Sequence, residues 1–144
     1  MHLWKDGRVY KGFFKDSLPE GNGLMTYPNG DKYIGAWKEG ERHGQGVMIY
    51  VDKSKYAGLW YKDKRNGVGI FQFADGSQYK GEWLEDLRHG KGTMRWPSGN
   101  VRSYEGGWRN DKQDGRGVLH YADGNRFEGS WMQNKIVAAL NRSL

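Results

Sequence analysis

The sequence predicts an all-β fold: an elongated, single-layer antiparallel meander of about five to six stacked 23-residue β-hairpins. Three observations predict it. Aromatic rings and glycines alternate at a period of two, which is the strand signature. The alternating pattern recurs along nearly all of the 144 residues at an almost constant interval. The copies are joined by Asn-Gly and Asp-Gly sequences, which favour the positive φ of tight hairpin turns.

The first half of each unit reads Tyr-x-Gly-x-Trp. It occurs as Tyr33-Gly35-Trp37, Tyr56-Gly58-Trp60, Tyr79-Gly81-Trp83 and Tyr104-Gly106-Trp108, with degenerate copies Tyr10-Gly12-Phe14 and Phe127-Gly129-Trp131 at the ends. The leading ring recurs at spacings of 23, 23, 23, 25 and 23. The second half reads Gly-x-Gly, an apolar residue two on, and a ring two further. Gly21-Gly23-Met25-Tyr27, Gly44-Gly46-Met48-Tyr50, Gly67-Gly69-Phe71-Phe73, Gly90-Gly92-Met94-Trp96 and Gly115-Gly117-Leu119-Tyr121 carry it. Each half is a strand, so each unit is a hairpin around a polar loop such as Lys38–His43.

Units are joined by Pro28-Asn29-Gly30-Asp31, Ala74-Asp75-Gly76-Ser77, Pro97-Ser98-Gly99-Asn100 and Ala122-Asp123-Gly124-Asn125. Asp52-Lys53-Ser54 lacks the glycine and is expected to turn less ideally. The two extra residues of the 25-residue spacing fall between Gly99 and Tyr104, where a longer loop or bulge leaves the face pattern unchanged, two being a whole strand period.

Folded about Gly40-Glu41, the second unit sets Trp37 opposite Gly44, Gly35 opposite Gly46 and Tyr33 opposite Met48. A ring on one strand then lies across bare backbone on its partner, which offsets what glycine loses in a strand. Repetition stacks the rings into one stripe. A single layer has no second layer to bury that stripe, so strong twist and curl must close the ring face on itself, and each unit touches only its neighbours.

Composition agrees. Apolar residues are 36% and mean hydropathy is -0.95, values that alone lean toward disorder. Seven Trp and nine Tyr argue for a folded chain that packs rings against glycine backbone. Cysteine is absent, which excludes a disulfide framework and any Cys-ligated zinc, and suits the reducing cytosol. No signal-peptide h-region or membrane-length apolar run is visible.

The copies resemble the MORN repeat (membrane occupation and recognition nexus), most closely from Tyr33 to Tyr50, and the resemblance spans about residues 4 to 131. Phe14 in place of Trp, Asn66 and Asp114 in place of His, and Trp96 in place of Tyr are the departures. The resemblance implies a β-hairpin array with a grooved or curved face. It also implies scaffolding at membranes, cytoskeletal structures and ciliary axonemes, hence a cytoplasmic protein associated with cytoskeleton or cilium, or peripheral at a membrane.

No catalytic, cofactor or metal chemistry is expected. Gly-x-Gly here neither continues to Gly-x-x-Gly nor precedes a helix pattern, so it is not a nucleotide loop. His43 and His89 share one repeat slot and are expected to be turn-adjacent hydrogen-bonding residues, and no carboxylate stands at a metal-binding offset. Nucleic acid is not the expected partner, because the rings recur at structural positions.

With the ring stripe committed to packing, the opposite face is the informative one. Its middle is apolar: Ile34, Ala36, Val47, Ile49, Ala57, Leu59, Val68 and Ile70. Its later units are charged. Either this patch binds a protein partner or sheet curl buries it. The ring-lined groove is the alternative docking site. A net charge of +6 is mixed in sign; Lys62, Lys64 and Arg65 form the densest basic cluster and are candidate contacts for an anionic partner such as acidic lipid.

The array is read as residues 1–133, with partial units at both ends. Ile136, Leu140 and Leu144, at helical spacing, predict a short amphipathic helix over 134–144 that caps the last hairpin or mediates dimerisation; the open first strand is a second route to self-association. The expected function is a non-catalytic scaffold for a cytoskeletal or ciliary protein partner, with a peripheral adaptor on anionic phospholipid as the alternative.

Overall fold

The computed structural model describes residues 1–141, all of them in one antiparallel sheet and its turns. Thirteen strands follow in chain order, each hydrogen-bonded to the next. They are β1 (His2–Leu3), β2 (Val9–Lys15), β3 (Leu18–Thr26), β4 (Lys32–Lys38), β5 (Glu41–Ile49), β6 (Lys55–Tyr61), β7 (Lys64–Gln72), β8 (Gln78–Leu84), β9 (Leu87–Arg95), β10 (Val101–Arg109), β11 (Lys112–Tyr121), β12 (Arg126–Met132) and β13 (Lys135–Asn141). The hairpins of the repeat are β2–β3, β4–β5 and so on to β12–β13; β1 adds a short strand at the start.

The tail corrects one expectation. Residues 135–141 form β13, not a helix, and pair with β12 through Trp131↔Ile136, Ser130↔Ala138 and Gly129↔Ala139. The backbone groups of β12 need a partner, and a seven-residue segment is too short for a helix to persist without packing. The apolar spacing that suggested a helix also suits a strand: Ile136, Ala138 and Leu140 alternate along one side. Residues 142–144, including Leu144, lie outside the described residues.

The register keeps Gly35↔Gly46 and Tyr33↔Met48, as read from the sequence, but Trp37 opposes Arg42 rather than Gly44. The reason lies in the turn. Each unit closes on two residues, both at positive φ: Glu39 (50°) and Gly40 (83°), Lys62 (46°) and Asp63 (70°), Glu85 (47°) and Asp86 (70°). That is the I′ geometry matching strand twist. It leaves two extra residues on the second strand, absorbed in a bulge around Gly44, which takes φ +93°. Two extra residues preserve the faces. Gly44 instead faces Trp60 of the next unit.

The glycines that follow the tyrosines, and their partners, form a row running straight across the sheet: Gly12, Gly23, Gly35, Gly46, Gly58, Gly69, Gly81, Gly92, Gly106, Gly117 and Gly129 are cross-strand neighbours in turn, ending at Ala139. Four residues of straight strand span roughly 13 Å, yet the Tyr33 and Trp37 ring centroids are 5.0 Å apart, edge to face. The rings on either side of the row thus lean toward each other across it, and Tyr33, Tyr56 and Tyr79 keep no exposed surface.

Within the fold the rings interlock. Tyr33 touches Trp37 of its own strand and Trp60 of the next unit (5.4 Å), Tyr56 touches Trp60 and Trp83, and Tyr79 touches Trp83 and Trp108, all edge to face. Such pairs contribute about 0.5–1.5 kcal/mol each beyond area burial. Tyr10, Tyr33, Tyr56, Tyr79 and Tyr104 are fully buried. Each phenol lies over the glycine row and donates its hydroxyl hydrogen to the carbonyl at the bend, Tyr33 to Ala36 (2.8 Å) and Tyr56 to Leu59 (2.8 Å). The indole N–H groups of Trp37, Trp60, Trp83 and Trp108 reach back one unit to a row glycine carbonyl, Trp60 to Gly46 at 3.2 Å and Trp83 to Gly69 at 3.3 Å. The polar tips of these tyrosines and tryptophans are thus satisfied. Burial raises the tyrosine pKa values; Tyr104 is pushed up to about 12, with Asp114 adding to the effect of desolvation.

Candidate binding surface

The second face of the sheet carries the odd-man-out chemistry. Cross-strand pairing lines up Leu24, Ile34, Val47, Ala57 and Ile70 on consecutive strands β3 to β7. A parallel row holds Ala36, then Leu59 opposite Gln45, then Val68. Curl does not bury them: Ile34 is 51% exposed, Val68 57%, Ile49 41% and Leu59 36%, while Ala36, Val47, Ala57 and Ile70 are half-buried against their neighbours. The eight residues singled out from the sequence therefore do share one surface. A hollow of about 440 Å³ lies among Ile34, Val47, Ala57, Val68, Ile70 and Lys80, with Gly46, Gly58 and Gly69 at its floor.

A second hollow, about 950 Å³, spans β9 to β13 and is lined by Lys91, Thr93, Glu105, Arg116, His120 and Arg126 among others, with Gly92, Gly106 and Gly117 at the floor. Lys80 pairs across to Thr93 and Thr93 to Glu105, so the two hollows lie end to end along the glycine row and together make the trough of this face.

The basic cluster is divided. Lys62 and Lys64 are exposed at a hairpin tip, beside a hollow of about 450 Å³ shared with Tyr61, Asn66, Leu84 and Glu85. Arg65 belongs to the interior of the array. Its guanidinium lies 4.7 Å from the Trp83 ring centre, its Nε donates to Asp86 Oδ1 (3.1 Å) and a terminal nitrogen donates to the Asp86 carbonyl (3.2 Å). Arg42 clasps Asp63 over Trp60, and Arg88 clasps Asp111 over Trp108, in the same way. Backbone bonds complete each clasp: the N–H of Arg42 donates to Asp63 Oδ1, and that of Asp63 to the Arg42 carbonyl. The half-exposed ion pairs contribute little by themselves; the bonds to turn backbone and the stacking on indole make the joint.

These clasps were missed in the sequence, although Arg42, Arg65 and Arg88 recur at the repeat spacing and each stands 21 or 23 residues before its aspartate. The neighbouring slot does what was expected of His43 and His89, but through other residues: Glu20 and Asn66 accept the turn N–H of Glu39 and Glu85. His43 packs on Tyr61 at 5.0 Å, and His89 Nδ1 is buried with no partner. Among the described residues no cluster of His, Cys, Asp or Glu could hold a metal ion, and no helix is long and apolar enough to cross a membrane.

The repeat geometry has a family counterpart. The model of the MORN repeat matches residues 10–32, 33–55, 56–78, 79–101 and 104–126. The chain belongs to the MORN repeat family. No curated protein is significantly similar to it. Among solved structures, the SAS-4 (dCPAP) TCP domain of Drosophila melanogaster, in complex with a proline-rich motif of Ana2 (dSTIL), matches with 16% identity and a TM-score of 0.41. The match covers 89% of this chain and 75% of that one, and the superposition is too loose to transfer function.

Proposed function

We propose that this protein is a non-catalytic scaffold that binds a protein partner in the trough, through the apolar surface of β3 to β7. One observation carries the reading: Ile34, Ile49, Leu59 and Val68 stand exposed on one face of adjoining strands, beside a hollow, while the ring face already supplies the core. Contiguous exposed apolar surface of this kind marks contact. The finer expectation, a cytoskeletal or axonemal assembly, follows the family and is tested by locating the tagged protein in ciliated cells. To test the surface, wild-type protein and an Ile34→Glu/Val68→Glu variant are used to capture partners from native extract. Both positions are more than half exposed, so the variant keeps its fold. Loss of captured proteins supports the reading; an unchanged set overturns it.

The exposed Lys62 and Lys64 beside Tyr61 and Leu84 favour a second reading, contact with anionic lipid at the hairpin tips. Binding to phosphatidylserine vesicles that falls with salt and with Lys62→Glu/Lys64→Glu would support it.

A further inference from the structure

We propose that the trough takes an amphipathic α-helix lying across the strands, apolar where it covers β3 to β7 and acidic where it covers β8 to β12. The inference rests on the trough as the docking surface. Three observations define its occupant.

The first is backbone accounting. Each strand from β2 to β12 is hydrogen-bonded on both sides, so the sheet has no free N–H or C=O row to offer a segment crossing it. An extended peptide laid over an apolar floor would bury its own polar backbone without partners. A helix satisfies its backbone internally.

The second is the floor. It is formed by Gly46, Gly58, Gly69, Gly92, Gly106 and Gly117, with no side chain rising from it. Such a row lets a helix, roughly 10 Å wide with its side chains, approach the backbone between the flanking side chains.

The third is charge. The apolar rows give way at β8 to Lys80, Lys91 and Arg116, all exposed and without an ion-pair partner among the described residues. The acids there are mostly engaged. Glu82 accepts the Lys91 backbone N–H at 2.6 Å, which fixes its carboxylate without neutralising it, and Glu128 is paired with Arg126. Glu105 alone is free among the described residues of that hollow. Lys80, Lys91 and Arg116 outnumber the two carboxylates without an ion-pair partner there, Glu82 and Glu105, so the polar half carries an excess of positive charge, and a helix whose second half carries Glu or Asp complements it.

At ~4.8 Å per strand the apolar half spans roughly 19 Å, about thirteen helical residues; the whole trough takes about twice that. The test uses two synthetic helical peptides of about 28 residues. Both carry Leu and Ala on one face in one half. The same face of the other half carries Glu in one peptide and Lys in the other, and each is made in both chain directions. Binding is followed by fluorescence anisotropy at low and high salt. The acidic peptide is expected to bind roughly tenfold tighter or more at low salt, a gap that narrows with salt. Lys80→Glu/Lys91→Glu/Arg116→Glu reverses the order, and Val68→Glu weakens both peptides. Equal affinity for the two peptides overturns the bipartite occupant and leaves the docking surface standing. No peptide binding, with partner capture still lost in Ile34→Glu/Val68→Glu, overturns the helix alone. Capture that is also insensitive overturns both readings. Anionic vesicles that bind at Lys80, Lys91 and Arg116 while the peptides do not would replace the helix by a lipid surface.

Discussion

The ring face and the trough face are built on the same thirteen strands, one residue out of phase, and obey opposite rules. On the ring face each unit repeats the last: tyrosine over glycine, indole to the preceding glycine carbonyl, arginine clasping the next aspartate. On the trough face the same slots hold Ile34, Ala57, Lys80 and Glu105 in successive units. Packing tolerates little variation on the first and asks for little on the second. What distinguishes one part of the molecule from another is therefore confined to the face that does not hold it together.

The contrast can be broken most sharply at Gly46. A methyl group there would overlap the Tyr33 ring, which is locked between Trp37 and Trp60. Gly46→Ala is expected to cost roughly 3 kcal/mol or more, measured by chemical denaturation; near-neutral behaviour would show that the tyrosine does not need bare backbone beneath it. Alkali tests the same face without mutation. The buried tyrosines have folded-state pKa values above their unfolded ones, so the stability they confer is complete below about pH 10 and is lost as pH rises toward the folded value, about 12 for Tyr104. Tyrosinate absorbance is expected to appear together with unfolding; smooth titration of a folded protein would contradict this. Arg65→Ala removes one clasp and is expected to cost about 2 kcal/mol, whereas Arg65→Lys recovers only part because an ammonium cannot make the forked contact.

Lys53 holds φ 76° in a turn whose backbone bonds, Tyr50 N–H to the Ser54 carbonyl and Lys53 N–H to the Tyr50 carbonyl, match those of its Gly30 and Gly76 counterparts. Lys53→Gly is expected to stabilise by about 0.5–1 kcal/mol through relief of that strain. The smallest effect belongs to the trough: Val68→Glu should change stability by no more than about 0.5 kcal/mol. A large loss there would mean that the trough, too, is core.

Most of this architecture was legible in the sequence. Strand period, repeat length, Gly35↔Gly46, Tyr33↔Met48 and the apolar patch all follow from residue spacing, because alternation fixes faces and glycine fixes where rings lie. The opposition of Trp37 to Arg42 was not, since a two-residue bulge leaves alternation intact and so leaves no trace in the pattern. Residues 135–141 were misread because Ile136 and Leu140 satisfy a helical spacing and a strand spacing alike; the unpaired backbone of β12 decided between them. The Arg–Asp clasps were written at repeat spacing but hidden among ordinary surface charges, which is why Arg65 looked available to an outside anion.

Neighbour-only contact has a mechanical consequence. Tension applied between the two ends of the sheet acts across the strands and loads the hydrogen bonds of one strand pair at a time. The array should come apart as a zip does, at low force, in steps of roughly 70 Å as 23 residues of extended chain replace a ~10 Å unit. A structure that gives way link by link can dissipate strain and re-form from whichever hairpins remain.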